Sequence, residues 1–393
     1  MRFKQIIPIV LVFGLLFQSV LQKLVPLLRY YDEVIAIVIA ICGMILLCKK
    51  EKVDRLILVM GLSILLFTVA GTLSSIILNY QSFDITLGGL FLSIKWWLLF
   101  VGVYSLTDTY MVEDIVSLPI ICSLLFLLLV WQGLSIVYGL GEYSFKAWYV
   151  CANAVFMIGL LFFRWKNTKI EYVLLLLALL LAVSTGRAKG YGVVALAVLL
   201  LFWVLFKQKK VMAKDIIILG IALLIVAWRK IYYYYYLGWK WDYTRAYLLK
   251  KSIDIANDHF PLGTGWSTYG SYLSVENYSP TYWLYDMGYH REVGFTHRLF
   301  LNDNYIASVI GETGYLGLAA LIAFCITLFI AIQRLYAISI NLYAAGLVVF
   351  FYLLVTFVEE SGLQQPALMS LAIMLGAVLG VGSRKKHTCA DEA

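Results

Sequence analysis

Charged residues are scarce in this 393-residue chain: 14% are Asp, Glu, Lys or Arg, whereas 62% are hydrophobic. The mean hydropathy is +0.87. Apolar runs of about 20 residues, the length that a helix needs to cross a bilayer, recur along the whole sequence. This composition excludes a soluble domain and predicts an all-α polytopic membrane protein. The net charge of +8 lies mostly in short loops, where it sets membrane orientation and does not indicate a nucleic-acid partner.

Cysteine and histidine are also few. None of the six cysteines lies in the longest loop, so the sequence predicts no disulfide framework and no CxxC metal site. The segment 263–265 (GTG) does not complete a GxGxxG phosphate-binding motif, because residue 268 is Thr, and we interpret it as a turn. No group of His, Cys and carboxylate residues has the spacing of metal ligands. We therefore expect neither a metal nor a cofactor.

The distribution of basic residues predicts the membrane topology. No small-residue cleavage site follows the apolar N-terminal segment, which is therefore predicted to be a retained first span. With the N-terminus in the cytoplasm, the clusters of Lys and Arg fall in cytoplasmic loops and ends. This gives an N-terminal bundle at 1–228, one large extracytoplasmic loop at 229–304, C-terminal helices at 305–382 and a cytoplasmic tail at 383–393. The twelve predicted spans lie at about 5–22, 34–48, 56–80, 85–106, 115–139, 147–163, 171–185, 190–206, 213–228, 305–333, 338–358 and 366–382.

The turn STGRAKG at 184–190 departs from this charge pattern. In the predicted topology it lies outside, where short loops otherwise carry almost no cations. Arg187 and Lys189 are either two cations that reach from a helix end to the interface, or part of a site that requires positive charge.

The large loop is unusually rich in aromatic residues and holds three of the four histidines of the chain. A loop of this length without a domain of its own is uncommon unless it is functional. Its segment 242–259 has helical spacing of apolar residues, and 260–271 is rich in turn-forming residues. We expect a small folded cap with one or two short helices.

The outward-facing polar residues suggest one class of ligand. Arginine binds phosphate oxygens through a planar fork of donors, aromatic faces stack on sugar rings, and a carboxylate or imidazole can accept a proton from an attacking hydroxyl. A lipid-linked sugar pyrophosphate would need all three. The candidate cations are Arg187, Lys189, Arg245, Lys250, Lys251, Arg291 and Arg298, and the candidate bases are Asp303, His297, His290, Asp242, Asp258 and Glu292.

Three charged positions lie within or beside predicted spans. Lys95, near the middle of a span, is either functional or part of a structural ion pair with Glu359 or Glu360. The acidic pair at 32–33 has two interpretations, acidic catalytic residues or the end of a span, and the second is preferred. Glu312 is predicted to have a capping or packing role in preference to a catalytic one.

Three stretches together resemble the O-antigen polymerase and ligase superfamily. STGRAKG at 184–190 resembles its serine-arginine-glycine turn. TRAYLLKKSIDIANDHFPLGTGW at 244–266 resembles its arginine, amphipathic helix and glycine-rich turn. NDNYIASVIGETGYLGL at 302–318 resembles its step from Asn, here Asn304, to Glu, here Glu312. The match covers about 180–320, and the order of the motifs also agrees.

The resemblance implies a metal-independent membrane glycosyltransferase of the GT-C type in the bacterial cytoplasmic membrane, acting on undecaprenyl-pyrophosphate-linked oligosaccharides. It implies that Arg187 and Arg245 hold the pyrophosphate and that Asp303 or His297 is the base. A chain-length-regulating co-polymerase is an expected partner. The residues assigned to substrate binding are Lys189, Arg291, Arg298, Asn304, Trp266, Tyr269 and Lys251.

Two alternatives to a repeat-unit polymerase stay open. Ligases of the superfamily carry a histidine immediately before the Asn, where this chain has Asp303, and this difference favours a polymerase. A flippase for lipid-linked oligosaccharide would also use cations, aromatics and many spans. It would need charges spread through its spans, whereas here only Lys95 is deep.

Overall fold

The computed structural model describes residues 3–49, 53–109, 117–212, 214, 215, 228 and 232–391, and in these residues it contains helices and turns but no strand. Before residue 212 the helices are α1 Phe3–Leu24, α2 Tyr31–Cys48, α3 Arg55–Leu78, α4 Phe83–Thr109, α5 Leu118–Tyr138, α6 Ala147–Phe163, α7 Lys169–Val183 and α8 Ala188–Leu200. From residue 232 onward they are α9 Gly238–Trp241, α10 Thr244–Asp258, α11 Tyr272–Glu276, α12 Pro280–Leu284, α13 Tyr305–Leu335, α14 Ile340–Glu359 and α15 Met369–Asp391. Short 3-10 or π-helical turns lie at Pro26–Tyr30, Gly141–Tyr143, Leu201–Phe206, Tyr232–Leu237, Arg298–Phe300, Gly362–Gln364 and Pro366–Leu368.

In the described part of the chain, nine helical segments are long and apolar enough to cross a membrane. They contain α2 to α6, α8 and α13 to α15. The prediction of an all-helical, multi-pass membrane protein is confirmed. Helix α1 contributes a shorter apolar segment, Pro8–Leu24, and α7 has only 15 residues. The predicted span at 213–228 lies almost entirely outside the described residues, so the total of twelve stays a prediction.

Close helix contacts at glycine hold the bundle together. A Cβ added to Gly43 of α2 would lie 2.4 Å from the Cα of Gly102 in α4, and a Cβ added to Gly376 of α15 would lie 2.7 Å from the carbonyl oxygen of Phe100 in α4. Small residues at such crossings let backbones approach closely, which is the main way that helices gain packing energy inside a bilayer. Helix α4 therefore packs closely against both α2 and α15.

Helix starts follow local capping rules. Asp54 accepts a hydrogen bond from the backbone N–H of Leu56 at the start of α3. Thr168 and Glu171 form a capping box at the start of α7. The Asn304 side chain accepts from the N–H of Ala307 at the start of α13. Each cap satisfies an amide that the helix itself leaves unpaired.

Residues 232–304, which we call the cap, fold on one end of the bundle around a small hydrophobic core of their own. The helix predicted within 242–259 corresponds to α10, which packs on α13. The cap core is formed by Tyr247, Leu248, Ile255, Tyr269, Tyr278, Tyr282, Met287, Val293 and Leu301, with Ala307 of α13.

Several interhelical loops meet the cap. Arg29 donates to the hydroxyl of Tyr272 at 3.3 Å, and Gln81 donates to the carbonyl of Ser267 at 2.9 Å. The Gln364 side-chain oxygen accepts from the N–H of Tyr272 at 3.4 Å. The loops before α2, before α4 and after α14 therefore lie at the cap end of the bundle.

The opposite end carries basic residues that contact other loops. Arg334 pairs with Asp54 at 3.7 Å, and Arg384 donates to the carbonyl of Thr107 at 3.1 Å. The hydroxyl of Tyr336 donates to the carbonyl of Gln208 at 2.6 Å. The bundle thus has two chemically different ends.

Candidate functional site

Helix α13 is broken near the cap, and a cap loop fills the break. Gly314 has φ +68° and interrupts the helix. The N–H groups of Thr264 and Gly265 donate to the carbonyls of Gly311 and Glu312, each at 2.8 Å, and the carbonyl of Pro261 accepts from the N–H of Leu316 at 3.2 Å. Irregular backbone inside a membrane protein is tolerated where protein satisfies its polar groups. The 263–265 turn, predicted as a turn from sequence, has this role.

The Glu312 side chain binds the following part of the same cap loop, residues 268–271. Its Oε1 atom accepts from the N–H of Thr268 at 3.1 Å, the N–H of Tyr269 at 3.3 Å and the hydroxyl of Ser271 at 2.5 Å. The side chain is buried. The carboxylate therefore joins the cap to α13, in agreement with the packing role predicted for this residue.

Two aromatic residues predicted to bind substrate are part of this buried joint. The indole N–H of Trp266 donates to the hydroxyl of Thr72 at 3.2 Å, and its ring lies against Gly71 of α3. The hydroxyl of Tyr269 donates to the carbonyl of Leu248 at 2.7 Å. Trp266 and Tyr269 are 1% and 0% exposed, so neither offers a ring face to a ligand here. Their physical role is to anchor the cap.

Arg245, Asp303 and Asn304 lie together where the cap returns to α13. Nη2 of Arg245 is 3.7 Å from Oδ2 of Asp303, and both side chains are partly exposed. The guanidinium carbon lies 5.2 Å from the ring centroid of Tyr234. The Asn304 amide donates to the backbone carbonyl of Arg245 at 3.4 Å while its oxygen caps α13. Asn304 thus positions the backbone that carries Arg245.

The STGRAKG segment at 184–190, where α8 begins, contributes one buried cation and one exposed cation. Lys189 lies 2.9 Å from a carboxylate oxygen of Glu360 and 4.8 Å from the ring centroid of Tyr352. The Lys189 side chain is almost fully buried, so it acts as a tie between α8 and the end of α14. Arg187 precedes α8 as its N-cap residue and is exposed.

The end of α14 is the meeting point of these segments, and we call residues 357–362 the junction. Glu360 in the junction pairs with Lys189. Tyr305, which follows Asn304, packs its ring on Phe357 at 5.3 Å and lies against Gly362, where an added Cβ would be 2.3 Å from the ring. The aromatic run at 232–237 also reaches the junction, because the Tyr235 hydroxyl donates to the carbonyl of Val358 at 3.5 Å.

The other candidate ligands contact different parts of the cap. Arg291 pairs with its neighbour Glu292 and is exposed, and Lys251 lies over the ring of Tyr247. Arg298 donates to the backbone carbonyls of Phe295 and Glu276. His297 is exposed and starts the turn Arg298–Phe300. The side-chain contacts of Arg291, Lys251 and Arg298 given above are with residues 247–295 of the cap.

His290 is locked in one tautomer within the cap. Its Nδ1 accepts from the N–H groups of Glu292 and Val293, so Nε2 carries the proton and donates to the carbonyl of Asp242 at 3.0 Å. Its ring stacks on Tyr247 at 4.1 Å. Burial lowers the pKa of His290, against the opposing effect of the nearby carbonyl and carboxylates. His290 is therefore a structural residue at neutral pH.

Lys95 has a buried partner, but not the predicted one. Its Nζ lies 2.5 Å from Oδ2 of Asp32 and 3.8 Å from Glu33, and Gln18 donates to the other oxygen of Asp32. The partner predicted from the sequence is Glu359 or Glu360. Glu360 pairs with Lys189 instead, and the side chain of Glu359 lies outside the described residues. Helix α2 begins beside the middle of α4. Asp32 and Glu33 therefore lie at the same depth in the bundle as Lys95.

Among the described residues, no group of three or more His, Cys, Asp or Glu side chains is arranged to hold a metal ion. No protein-family model matches the sequence, and no curated protein is similar to it at a significant level. The resemblance to O-antigen polymerases and ligases therefore depends on the three sequence motifs.

Proposed function

We propose that the chain is a polymerase of lipid-linked polysaccharide repeat units. It transfers the growing glycan from undecaprenyl pyrophosphate to the next lipid-linked repeat at the outer face of the cytoplasmic membrane. The observation that carries the proposal is the junction. Lys189 at the start of α8 pairs with Glu360, and Tyr305 at the start of α13 packs on Phe357. The Asn304 amide joins the start of α13 to the backbone of Arg245. The segments that contain Lys189, Arg245 and Asn304 are distant in sequence. These three segments contain the three motifs of the resemblance.

The two ends of the bundle support the proposed topology. The loops predicted to lie outside contact the cap, and basic loops predicted to lie inside contact one another at the other end. Together with the positive-inside rule, this supports our proposal that the cap is extracytoplasmic and that both termini are cytoplasmic. A lipid-linked repeat delivered to the outer leaflet would meet the junction at the membrane surface.

The proposed reaction is a single displacement. The acceptor hydroxyl attacks the anomeric carbon of the donor sugar, the bond from that carbon to the pyrophosphate oxygen breaks, and a proton leaves the hydroxyl. Arg187 and Arg245 stabilise the charge that develops on the departing pyrophosphate. Binding of the pyrophosphate draws Arg245 away from Asp303, 3.7 Å away in the resting protein. The released carboxylate then accepts the proton. Asp303 is favoured over His297 as the base, because it is the one beside Arg245.

Chain extension by the purified protein tests the proposal. The protein in nanodiscs is given the lipid-linked repeat, and product lengths are measured. Arg245→Ala and Arg187→Ala should each lower the transfer rate about 100-fold or more, the usual cost of removing one preorganised stabilising donor. Arg245→Lys should recover only part of the rate, since an ammonium cannot form the bidentate contact. The matched control is Lys23→Ala, which removes an exposed cation paired with Glu142 and should extend chains normally.

The same assay separates the alternative functions. Extension by the Arg245→Ala variant at the wild-type rate would rule out the assigned role. Transfer to lipid A core in place of another repeat would identify a ligase. Movement of the lipid-linked repeat across the membrane with no new glycosidic bond would identify a flippase.

A further inference from the structure

An exposed aromatic cluster on the cap takes no part in the reaction proposed above. The ring centroid of Trp283 lies 5.7 Å from Tyr289 and 5.7 Å from Phe295. Tyr278 contacts Trp283 at 5.5 Å and Phe295 at 5.1 Å. Trp283, Tyr289 and Phe295 are 45%, 93% and 46% exposed, whereas Tyr278 is buried. We call these four residues the aromatic platform.

Most of the platform is held in place by its surroundings. Trp283 packs against the backbone at Gly288, where an added Cβ would lie 2.1 Å from the indole ring. The Arg298 guanidinium lies 4.4 Å from the centroid of Phe295, and two of its three nitrogens, Nε and Nη1, donate to the carbonyls of Phe295 and Glu276 at 3.0 and 3.3 Å. Rings fixed before binding lose little conformational freedom when a ligand arrives. The platform therefore has the rigidity of a preorganised binding surface.

A series of ring contacts leads from α13 through the cap core to the exposed rings of the platform. Tyr269 packs against Gly311 of α13, Tyr282 follows at 5.7 Å, and Tyr278 follows at 5.0 Å. Trp283 and Phe295 come after Tyr278 in this series of rings. The exposed rings are thus separated from the membrane helix by three buried tyrosines.

The exposed apolar residues of the cap differ in kind from those of the membrane helices. On α3 they are aliphatic: Leu58, Val59, Leu62, Leu65, Leu66, Val69, Leu73, Ile76 and Ile77. Between residues 260 and 300 they are Phe260, Tyr272, Trp283, Leu284, Tyr289, Phe295 and Phe300, with one aliphatic residue among seven. Contact with lipid chains does not require aromatic side chains, because aliphatic side chains serve equally well. The flat face of an aromatic ring, by contrast, is complementary to a flat ligand. The surface chemistry therefore favours a ligand with ring-shaped apolar faces edged by polar groups.

We propose that the aromatic platform is a saccharide-binding site, and, resting on the proposed function, that it holds the glycan chain while the reducing end reacts at the junction. A pyranose stacks its C–H face on Trp283, and its hydroxyls meet the Tyr289 hydroxyl and the guanidinium edge of Arg298. The platform takes uncharged saccharide and does not require the pyrophosphate.

Saccharide binding is measured apart from catalysis. The probe is the oligosaccharide released by mild acid from the lipid-linked pool of the host cell, titrated by calorimetry into the full chain in nanodiscs. Trp283→Ala should weaken binding about tenfold and Tyr289→Ala several-fold, as expected for loss of one aromatic stacking contact. Trp283→Phe should recover part of the affinity. The matched control is Leu284→Ala, which removes an exposed aliphatic side chain from the same helix and should leave binding unchanged. Because Tyr289 is almost fully exposed, its variant tests the proposal even if Trp283→Ala misfolds.

Three results would overturn the proposal. The first is unchanged affinity in both the Trp283→Ala and Tyr289→Ala variants. The second is an equal loss in Leu284→Ala, which would indicate general apolar contact. The third is strong quenching of the Trp283 fluorescence component by brominated phospholipids, which would place the ring in the bilayer. Platform-dependent binding without any chain extension would support the saccharide site and refute the polymerase, so the two proposals fail separately.

Discussion

Replacing Glu312 with alanine should release residues 268–271 from α13. The variant leaves three buried donors without an acceptor: the N–H groups of Thr268 and Tyr269 and the hydroxyl of Ser271. Each unsatisfied buried donor costs about 1–3 kcal/mol. Two of the three bonds are longer than 3 Å, so we expect a total of about 3–6 kcal/mol for local opening of this loop.

Hydrogen exchange of the Thr268 and Tyr269 amides, measured by mass spectrometry in nanodiscs, reports this opening directly. A loss of about 3 kcal/mol corresponds to exchange faster by more than 100-fold. Glu312→Gln is the matched control. All three bonds end on Oε1, and glutamine retains an oxygen there, so exchange should rise less than about tenfold. If the amides of Glu312→Ala exchange at the wild-type rate, these bonds do not hold the cap. If Glu312→Ala and Glu312→Gln accelerate exchange equally, the effect is due to the loss of charge.

Three further predictions concern other parts of the fold. Folding lowers the pKa of His290 from its ordinary 6.5, so the unfolded cap binds the proton more readily and cap stability should fall as pH drops below about 6.5. Hydrogen exchange of the amides at 292 and 293, measured as a function of pH, reports this loss. His290→Gln should remove the contribution of His290 to the pH dependence. Lys95→Ala leaves Asp32 buried without its cation and should destabilise the bundle by about 3–5 kcal/mol. The double variant Lys95→Met with Asp32→Asn should recover most of that loss. Thermal unfolding in detergent compares the stability of the two variants with that of the wild type. Gly263→Ala places a methyl group 2.4 Å from a backbone oxygen of α13 and should accelerate exchange in the cap loop, whereas Gly133→Ala, which meets nothing within 4 Å, should not.

Patterns that depend on neighbouring residues were predictable from the sequence. Hydropathy is summed over consecutive side chains, so the helical membrane class follows from composition and run length. The helical spacing within 242–259 indicates α10, and the turn at 263–265 follows from its glycines. The choice of Arg187, Arg245 and Asp303 as candidates also came from local motifs.

Contacts between distant residues decided the rest. Trp266 looks like any other loop aromatic in the sequence, but its partner Thr72 is 194 positions away, and only that contact buries it. Lys95 pairs with Asp32 across 63 positions because α2 starts beside the middle of α4. The exposure of Trp283 likewise depends on which of the neighbouring aromatic rings are buried in the cap core. Burial and pairing are set by how helices pack, and helix packing is not encoded in the spacing of residues along one segment.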